Sequence, residues 1–544
     1  MYTSKPTYNS NFKYMKKSGD KNPEENEAFT SSRIHRKTEF DTLLHSIGDF
    51  SKFQYVQWVL LFVAVIPQAW YTYMPAFAAR KVKEPQMYCG NNPNITGEGL
   101  CDVWRNGTCK PVMYTTGFTS VATDWDIICD DSKKYIPLTK TIFYAGKLLG
   151  AYLFGWISDR FGRRVTLLST MLIQFISSLI QCFSVNFYMY VALRVPLGIC
   201  SGGTLIAAFA LMAEMVGPNR RNWANCLAQG SYGVGIALEA FIAYLLPEWK
   251  NFSLAVTIPN VLFVLYWWFV PESPRWLAAR GRIKDAEVIL RKIAKTNGHE
   301  YQEGALQEIK SREMVSEKPE KTYHLWHLFS TIYLAKVTII EGWSWFVTSG
   351  VYYGLSFNSG NLSGDFYVNF AASGLVEIPA YILASVLVDR IGRKKPLIAY
   401  YIIGGLALLS LLPIQALGKH KELTALVMTF ALIGKFTISA AYYQIYIHSA
   451  ELYPTVIRTI GVGFASLCAR VGAMGAPYVA DSTPLIAPAI IFGGLSMTAG
   501  MVTFFLPETR GMPLPDHIHP QGPVEFELNA SDTEQDDKAD NTHL

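Results

Sequence analysis

The sequence predicts an all-α membrane protein with twelve transmembrane helices in two six-helix pseudo-symmetric halves. Three observations carry that expectation. Half of the 544 residues are hydrophobic, only 17% are charged and 14% are aromatic, which is too apolar for a soluble multidomain chain. The chain holds about twelve apolar runs of roughly 20 residues, the length that crosses a hydrocarbon core. A charge-dense turn, Gly155-Trp156-Ile157-Ser158-Asp159-Arg160-Phe161-Gly162-Arg163-Arg164, returns about 230 residues later as Val388-Asp389-Arg390-Ile391-Gly392-Arg393-Lys394-Lys395, each copy between two apolar runs. Such a turn cannot lie in lipid, so each copy marks a membrane face, used once in each half.

In chain order, residues 1–52 form a polar, Lys-rich segment with no apolar core and cleavage site of a removable signal. The first half, 53–271, holds apolar runs at 54–76, 136–157, 165–184, 187–212, 226–246 and 254–270. A polar linker, 272–331, follows, in which Ile283 to Lys295 has apolar residues at helical spacing and Gly298 is a stop. The second half, 332–507, holds runs at 333–355, 366–388, 396–417, 423–447, 459–480 and 484–506, and an acidic tail, 508–544, reads as disordered beyond Pro513. Basic residues cluster at Arg160/Arg163/Arg164, Arg220/Arg221, Arg275 to Lys321 and Arg390/Arg393/Lys394/Lys395, which places those loops and both termini in the cytoplasm. Arg80, Lys81 and Lys83 after the first run oppose Arg36, Lys37 and Lys52 before it, and the later loops decide the orientation. The net charge of +5 therefore calls for a lipid bilayer and no nucleic acid.

With that orientation the loop 77–135 is extracellular and carries Cys89, Cys101, Cys109 and Cys129, four of the eight cysteines. Disulfides are expected there, with three pairings open. The same loop offers glycan acceptors at Asn94 and Asn106, whereas the sequon at Asn529 lies in the cytoplasmic tail and should stay bare. Cys182, Cys200, Cys226 and Cys468 lie in or near spans as small packing residues.

The repeat runs deeper. Ala213-Glu214 with Arg220 matches Ala450-Glu451 with Arg458, and Pro271-Glu272-Ser273-Pro274-Arg275-Trp276-Leu277 matches Pro507-Glu508-Thr509-Arg510-Gly511. All fall on the same side of matching spans, so the halves are parallel repeats related by an axis along the membrane normal. On these motifs the chain resembles a major facilitator superfamily transporter over essentially its whole length. The resemblance implies a gating role for Asp159, Arg163, Glu214 and Arg220 and for Asp389, Arg393, Glu451 and Arg458, as cytoplasmic charge clusters that hold the outward-open state. The plain alternative is that the basic residues only fix topology.

Ionisable groups deep in a span cost roughly 2.5 to 3.5 kcal/mol and mark paired structure or a solute path. Here they are Glu377, Arg470, Lys147, Glu239, Glu341 and Lys435. Glu341, Trp345 and Tyr352 recur near one helical face, as do Phe370, Glu377 and Tyr381, so each stripe joins aromatics to a carboxylate. A quaternary ammonium, which has no N–H to donate, needs ring faces and an anion. Trp345, Tyr352, Tyr442 and Tyr446 equally fit a packing role. Glu239 is read either as a solute residue or as a structural partner of Lys147 or Lys435, and those two lysines as binding substrate, chloride or each other.

Within the superfamily the large Cys-rich loop and Ala450-Glu451-Leu452-Tyr453-Pro454-Thr455 resemble the organic cation, anion and zwitterion transporters. Cation members carry a Glu matching Glu377 with an Asp matching position 470, and anion members an Arg at 470 without the Glu. This chain has both Glu377 and Arg470, and Val376-Glu377-Ile378-Pro379-Ala380-Tyr381 is similar to the carnitine and zwitterion branch. The expectation is a plasma-membrane carrier of a small organic cation or zwitterion, with Glu377 drawing the ammonium and Arg470 the carboxylate. A Glu377–Arg470 salt bridge between the halves is the structural alternative. A cation gains about 2.3 kcal/mol per 100 mV, while a neutral zwitterion gains nothing and needs a co-transported sodium ion or proton. A sugar porter lacks a use for two buried charges; a non-transporting sensor stays open as an alternative, although the gating charges of both halves are complete. No cofactor or metal is expected, and the ten His show no His-Glu-x-x-His spacing for an enzyme.

Overall fold

The structure is a computed structural model that describes residues 39–82, 86–96, 98–109, 111–309, 323–362, 364–419, 422–482, 486–512 and 515. Among the described residues ten helical stretches are long and apolar enough to cross a membrane: Lys52–Ala78, Arg163–Cys182, Phe187–Met215, Cys226–Leu245, Trp249–Phe269, Phe366–Arg390, Lys394–Ala416, Thr424–Leu452, Arg458–Ala480 and Ile486–Thr503. Two more long helices, Cys129–Phe161 and Ile332–Asn358, pack inside the same bundle and bring each half to six. Their lower hydropathy has a cause in the sequence, since they carry Lys140 and Lys147, and Lys336 and Glu341. In chain order these are spans one to twelve, with Cys129–Phe161 second and Ile332–Asn358 seventh.

The two halves meet through span two against span eleven and span five against span eight. A two-fold axis that exchanges the halves turns one contact into the other, as parallel repeats require. At the second contact a Cβ on Gly233 would lie 2.6 Å from the Gly374 carbonyl oxygen, and one on Gly374 would lie 2.7 Å from that of Gly233. Only glycine allows backbones this close.

Spans eight and nine are each broken once. Span eight runs as Phe366–Leu375 and Glu377–Arg390, and span nine as Lys394–Leu409 and Leu411–Ala416. Each first segment ends four residues before a proline, Pro379 or Pro413, whose ring nitrogen has no proton for the carbonyl of Leu375 or Leu409. Span six, expected as one apolar run, is Trp249–Thr257, a 3₁₀ stretch Ile258–Leu265 and Tyr266–Phe269.

On one face, here the loop face, lies a small ordered domain. β1 (Met87–Cys89) pairs antiparallel with both β2 (Asn92–Thr96) and β3 (Val112–Tyr114). Disulfides join Cys89 to Cys109 and Cys101 to Cys129, selecting one of the three open pairings. Asn106 is exposed in a turn; Asn94 is on β2, and its side chain, like the Asn529 sequon, is outside the described residues. On the opposite, turn face, helix Glu39–Ser46 packs Phe40, Leu43 and Leu44 against Leu290, Ile293 and Ala294 of the linker helix Ile283–Asn297. That linker helix stops at Gly298, left-handed at φ +78°.

Candidate functional site

The two repeated turns have a common construction. Gly162 and Gly392 sit at φ +108° and +118°, and a Cβ there would lie 2.2 Å from Glu272 Oε2 or 2.7 Å from Glu508 Oε2. Glycine is required both for the backbone and for the space. Glu272 accepts from the backbone N–H of Arg163 (2.9 Å) and Arg164 (3.2 Å), and Glu508 from those of Arg393 (2.7 Å) and Lys394 (3.1 Å). The carboxylate after one span thus caps the first turn of another, where helix N–H groups lack partners. Burial pushes the Glu272 carboxyl up from its ordinary value. For Glu508 burial acts the same way, but the surrounding backbone N–H groups outweigh it and hold the carboxyl below that value. In the sequence these two residues stand out only as members of a repeated Pro-Glu motif, which does not reveal this role.

Around the caps lie the residues expected to gate. Arg163 reaches Asp159 (2.9 Å) and Glu214 (3.1 Å), and Arg393 takes Glu451 through Nε (2.9 Å) and Nη2 (2.8 Å). Arg458 bonds Thr455 at 3.1 Å, while Arg220 and Asp389 are exposed. Among the described residues each cluster stays within its own half. Among the described residues the ion pairs that cross between halves lie on the loop face: Lys140 to Asp481 at 2.9 Å and Lys81 to Asp481 at 4.0 Å. Thr141 also donates to the Met474 carbonyl (2.8 Å), and Phe77 meets Phe370 (4.7 Å between centroids), Tyr144 meets Tyr353 (4.7 Å) and the Arg80 guanidinium covers Phe366 (3.9 Å). Aromatic rings and a buried ion pair therefore seal the loop face. On span ten Tyr442 is partly buried and Tyr446, one turn nearer the turn face, is 38% exposed. Of the sealing residues only Phe370 had an expected site role, and Arg80 and Lys81 entered only as topology charges, because a charge or ring at a span end looks the same whether it meets the other half or the lipid headgroups.

Beneath the seal the break at Val376 makes Glu377 the first residue of a helical segment, where the helix dipole favours a carboxylate. Glu377 is fully buried, and its Oε1 lies 2.7 Å from Lys435 Nζ, while Tyr381 donates to Oε2 at 3.1 Å. The Lys435 ammonium also donates to Ser356 Oγ (2.7 Å) and lies 3.4 Å from the centre of the Tyr352 ring. Tyr73 of the other half closes on Ser356 at 3.1 Å. The Glu377–Arg470 bridge weighed from the sequence does not form; Lys435 is nearer and is held from three sides. Phe370, placed with Glu377 by its helical stripe, instead packs on Phe77 and on Tyr73 (5.6 Å).

Arg470 is half-buried and donates to the Ser466 carbonyl at 2.7 Å and to Ser466 Oγ; its Nε has no partner among the described residues. Lys147 donates to Thr72 Oγ1 at 3.1 Å and lies 5.0 Å from the Phe143 ring. Neither cation meets a carboxylate among the described residues, and they lie close enough to repel one another. Glu239 pairs with neither Lys147 nor Lys435; it is fully buried and apart from both. Glu341 is enclosed too, accepting from Ser449 at 2.5 Å with His448 Nδ1 3.3 Å away, and Ser449 in turn accepts from Trp345 Nε1 at 2.8 Å. That chain holds the Trp345 ring edge-on to Tyr446, 4.3 Å between centroids, with Tyr352 5.1 Å from Tyr442. The expected residues thus divide into a neutralised Glu377–Lys435 box, an aromatic wall fixed by Glu341, and an uncompensated Arg470–Lys147 pair.

The sugar (and other) transporter family matches residues 60–518. The chain is 37% identical to organic cation/carnitine transporter 2 of Rattus norvegicus, over 77% of this chain and 74% of that one, and 37% identical to its Homo sapiens counterpart, over 74% and 71%. It is 36% identical to the organic cation transporter protein of Drosophila melanogaster, over 76% of each. In fold it is similar to the xylose transporter XylE from E. coli, inward open (TM-score 0.60, 18% identity, 85% and 98% covered) and partially occluded inward open (0.59, 18%, 85% and 100%). The two-fold bundle with its glycine turns and these matches lead to one conclusion: the chain belongs to the sugar (and other) transporter family of the major facilitator superfamily, among the organic cation/carnitine transporters.

Proposed function

We propose that this transporter carries a small organic zwitterion or cation of the carnitine, carcinine or betaine type across the plasma membrane by alternating access. The loop face is outside and both termini are cytoplasmic. One observation carries the reading: an ammonium is held between Glu377 and the Tyr352 ring, while Arg470 and Lys147, each within the other's field, meet no carboxylate among the described residues. A quaternary ammonium needs the ring face and carboxylate that Lys435 now occupies. The solute head group displaces Lys435, and its carboxylate takes Arg470 through two parallel hydrogen bonds that relieve the repulsion from Lys147. Tyr442, Tyr446 and Trp345 wall the path, and the six-helix halves 53–271 and 332–507 rock about it with the linker 272–331 between them. The Asp159/Arg163/Glu214/Arg220 and Asp389/Arg393/Glu451/Arg458 clusters close the turn face when the loop face opens. The names of the relatives support the same solute class.

A broad-range anion carrier is the second reading, favoured by the two cations without a carboxylate. Uptake by proteoliposomes from a panel of carnitine, choline, tetraethylammonium and a dicarboxylate decides between them. Carnitine as the preferred solute is expected; a preferred dicarboxylate selects the second reading, and no uptake of any panel member defeats both.

A further inference from the structure

The first half contains a carboxyl that the solute path does not use. Glu239 lies in span five and is 0% exposed, and neither Oε1 nor Oε2 has a hydrogen-bond partner among the described residues. A carboxylate in that state would bear the full cost of desolvation, several kcal/mol for an isolated ion, which a neutral acid largely avoids. The charged group whose field reaches it is Arg194 of span four. Arg194 is itself bound elsewhere. It is 0% exposed and donates to the backbone carbonyls of Tyr71 (2.8 Å) and Thr139 (3.2 Å), with Nη2 left without a partner. On the helices packed against span five, Lys52, Tyr55, Tyr188, Asp389 and Arg390 are exposed and the Cys200 thiol is buried. Glu214 binds Arg163, Glu377 binds Lys435 and Tyr381, Tyr73 binds Ser356, and Lys250 binds Asp124 at the edge. Tyr71 and Tyr190 have hydroxyls without partners and carry no charge to offer. Tyr367 of span eight packs its ring on Tyr244.

The two carbonyls that hold Arg194 belong to the sealing segments. Thr139 immediately precedes Lys140, which binds Asp481, and Tyr71 is two residues from Tyr73, which meets Ser356 across the interface. Span five also touches the other half on either side of Glu239, at Gly233 and at Tyr244. Parting the loop face therefore loosens the perch of Arg194, and the guanidinium and the carboxyl are then each other's best partner.

We propose that Glu239 is a proton-binding site linked to the loop-face seal. Sealed, the carboxyl holds its proton and Arg194 rests on the two carbonyls; open, the proton passes to water entering from the loop face and the carboxylate pairs with Arg194. One proton is taken up for each closure, whichever solute is carried, so this inference does not rest on the solute assigned above. Acid on the loop side favours the sealed conformation, by at most about tenfold in the closed-to-open ratio per pH unit for a single linked proton.

Two measurements on the full chain in nanodiscs test it. Infrared difference spectra between neutral and alkaline pH should show a protonated-carboxyl band in the wild type that Glu239→Gln removes. If that variant fails to fold, Glu239→Asp, which keeps the acid and shifts the band, takes its place. Fluorescence transfer between labels at Thr115 and Glu422, exposed in the loop-face segments of the two halves, should report more closure as pH falls in the wild type and pH-independent closure in Glu239→Gln. A wild type without such a band, or a closure whose pH response survives the substitution, overturns the proposal.

Discussion

Replacing Lys435 by Met tests the box at the centre of the site. The substitution keeps the length of the side chain and removes the ammonium that lies 2.7 Å from Glu377 Oε1, 2.7 Å from Ser356 Oγ and 3.4 Å from the Tyr352 ring centre. Both partners are at most 2% exposed, so water cannot take over the orphaned carboxylate, and breaking such a pair from one side costs about 3 to 5 kcal/mol. Glu377→Gln should cost a similar amount by stranding Lys435. The double variant removes both charges and should lose less than either single variant, so the coupling energy should exceed about 3 kcal/mol in magnitude. At about 2 to 4 °C per kcal/mol for a large domain, each single variant should unfold about 6 to 20 °C below the wild type and the double much closer to it. The assay is thermal unfolding of the purified protein in one detergent, followed by tryptophan fluorescence. Losses that simply add in the double variant would mean that the two side chains do not act as a pair.

Glu508→Gln should lower stability at neutral pH by on the order of 1 kcal/mol after solvent screening. The wild-type carboxylate is held below its ordinary value, so its contribution is present above that value and is lost as pH falls through the depressed one. The gap between variant and wild type in a pH series should therefore close on acidification, and a constant gap would refute the capping role. Glu272→Gln should cost less at neutral pH, because burial already favours the neutral form and its contribution grows only as pH falls. Asp481→Asn leaves the Lys140 ammonium, 5% exposed, without its anion. It should part the loop face and speed labelling of a cysteine placed at Thr141 by an impermeant thiol reagent several-fold, and unchanged labelling would show that the ion pair does not seal.

Much of the fold was legible because its rules are local. The bilayer demands long apolar runs, and the repeated Asp-Arg-x-Gly turns gave the two-fold. The linker helix ends where Gly298 said it would. The span breaks before Pro379 and Pro413 fit the missing proline proton but were not legible in the sequence, since Pro67, Pro75, Pro137, Pro196 and Pro477 lie inside unbroken helices. The pairing inside the site was not legible. Helical spacing put Glu377 on a face with Phe370 and Tyr381, but which of Arg470, Lys147 and Lys435 met it depended on how spans eight, ten and eleven rotate against one another. No one-dimensional pattern encodes that rotation. Likewise Cys89 and Cys101 found their partners through the fold of β1 to β3, whose short strands lack a long alternating signature.

The charge selectivity of Arg470→Lys tests the central claim most directly. An ammonium cannot reproduce the two parallel hydrogen bonds of a guanidinium to a carboxylate, and a charged hydrogen bond is worth about 1.5 to 3 kcal/mol, or roughly 10- to 100-fold in affinity. In proteoliposomes the variant should lose carnitine uptake by that factor while tetraethylammonium uptake stays within about twofold. Equal loss of both solutes, or no loss of either, would contradict a carboxylate docked on Arg470.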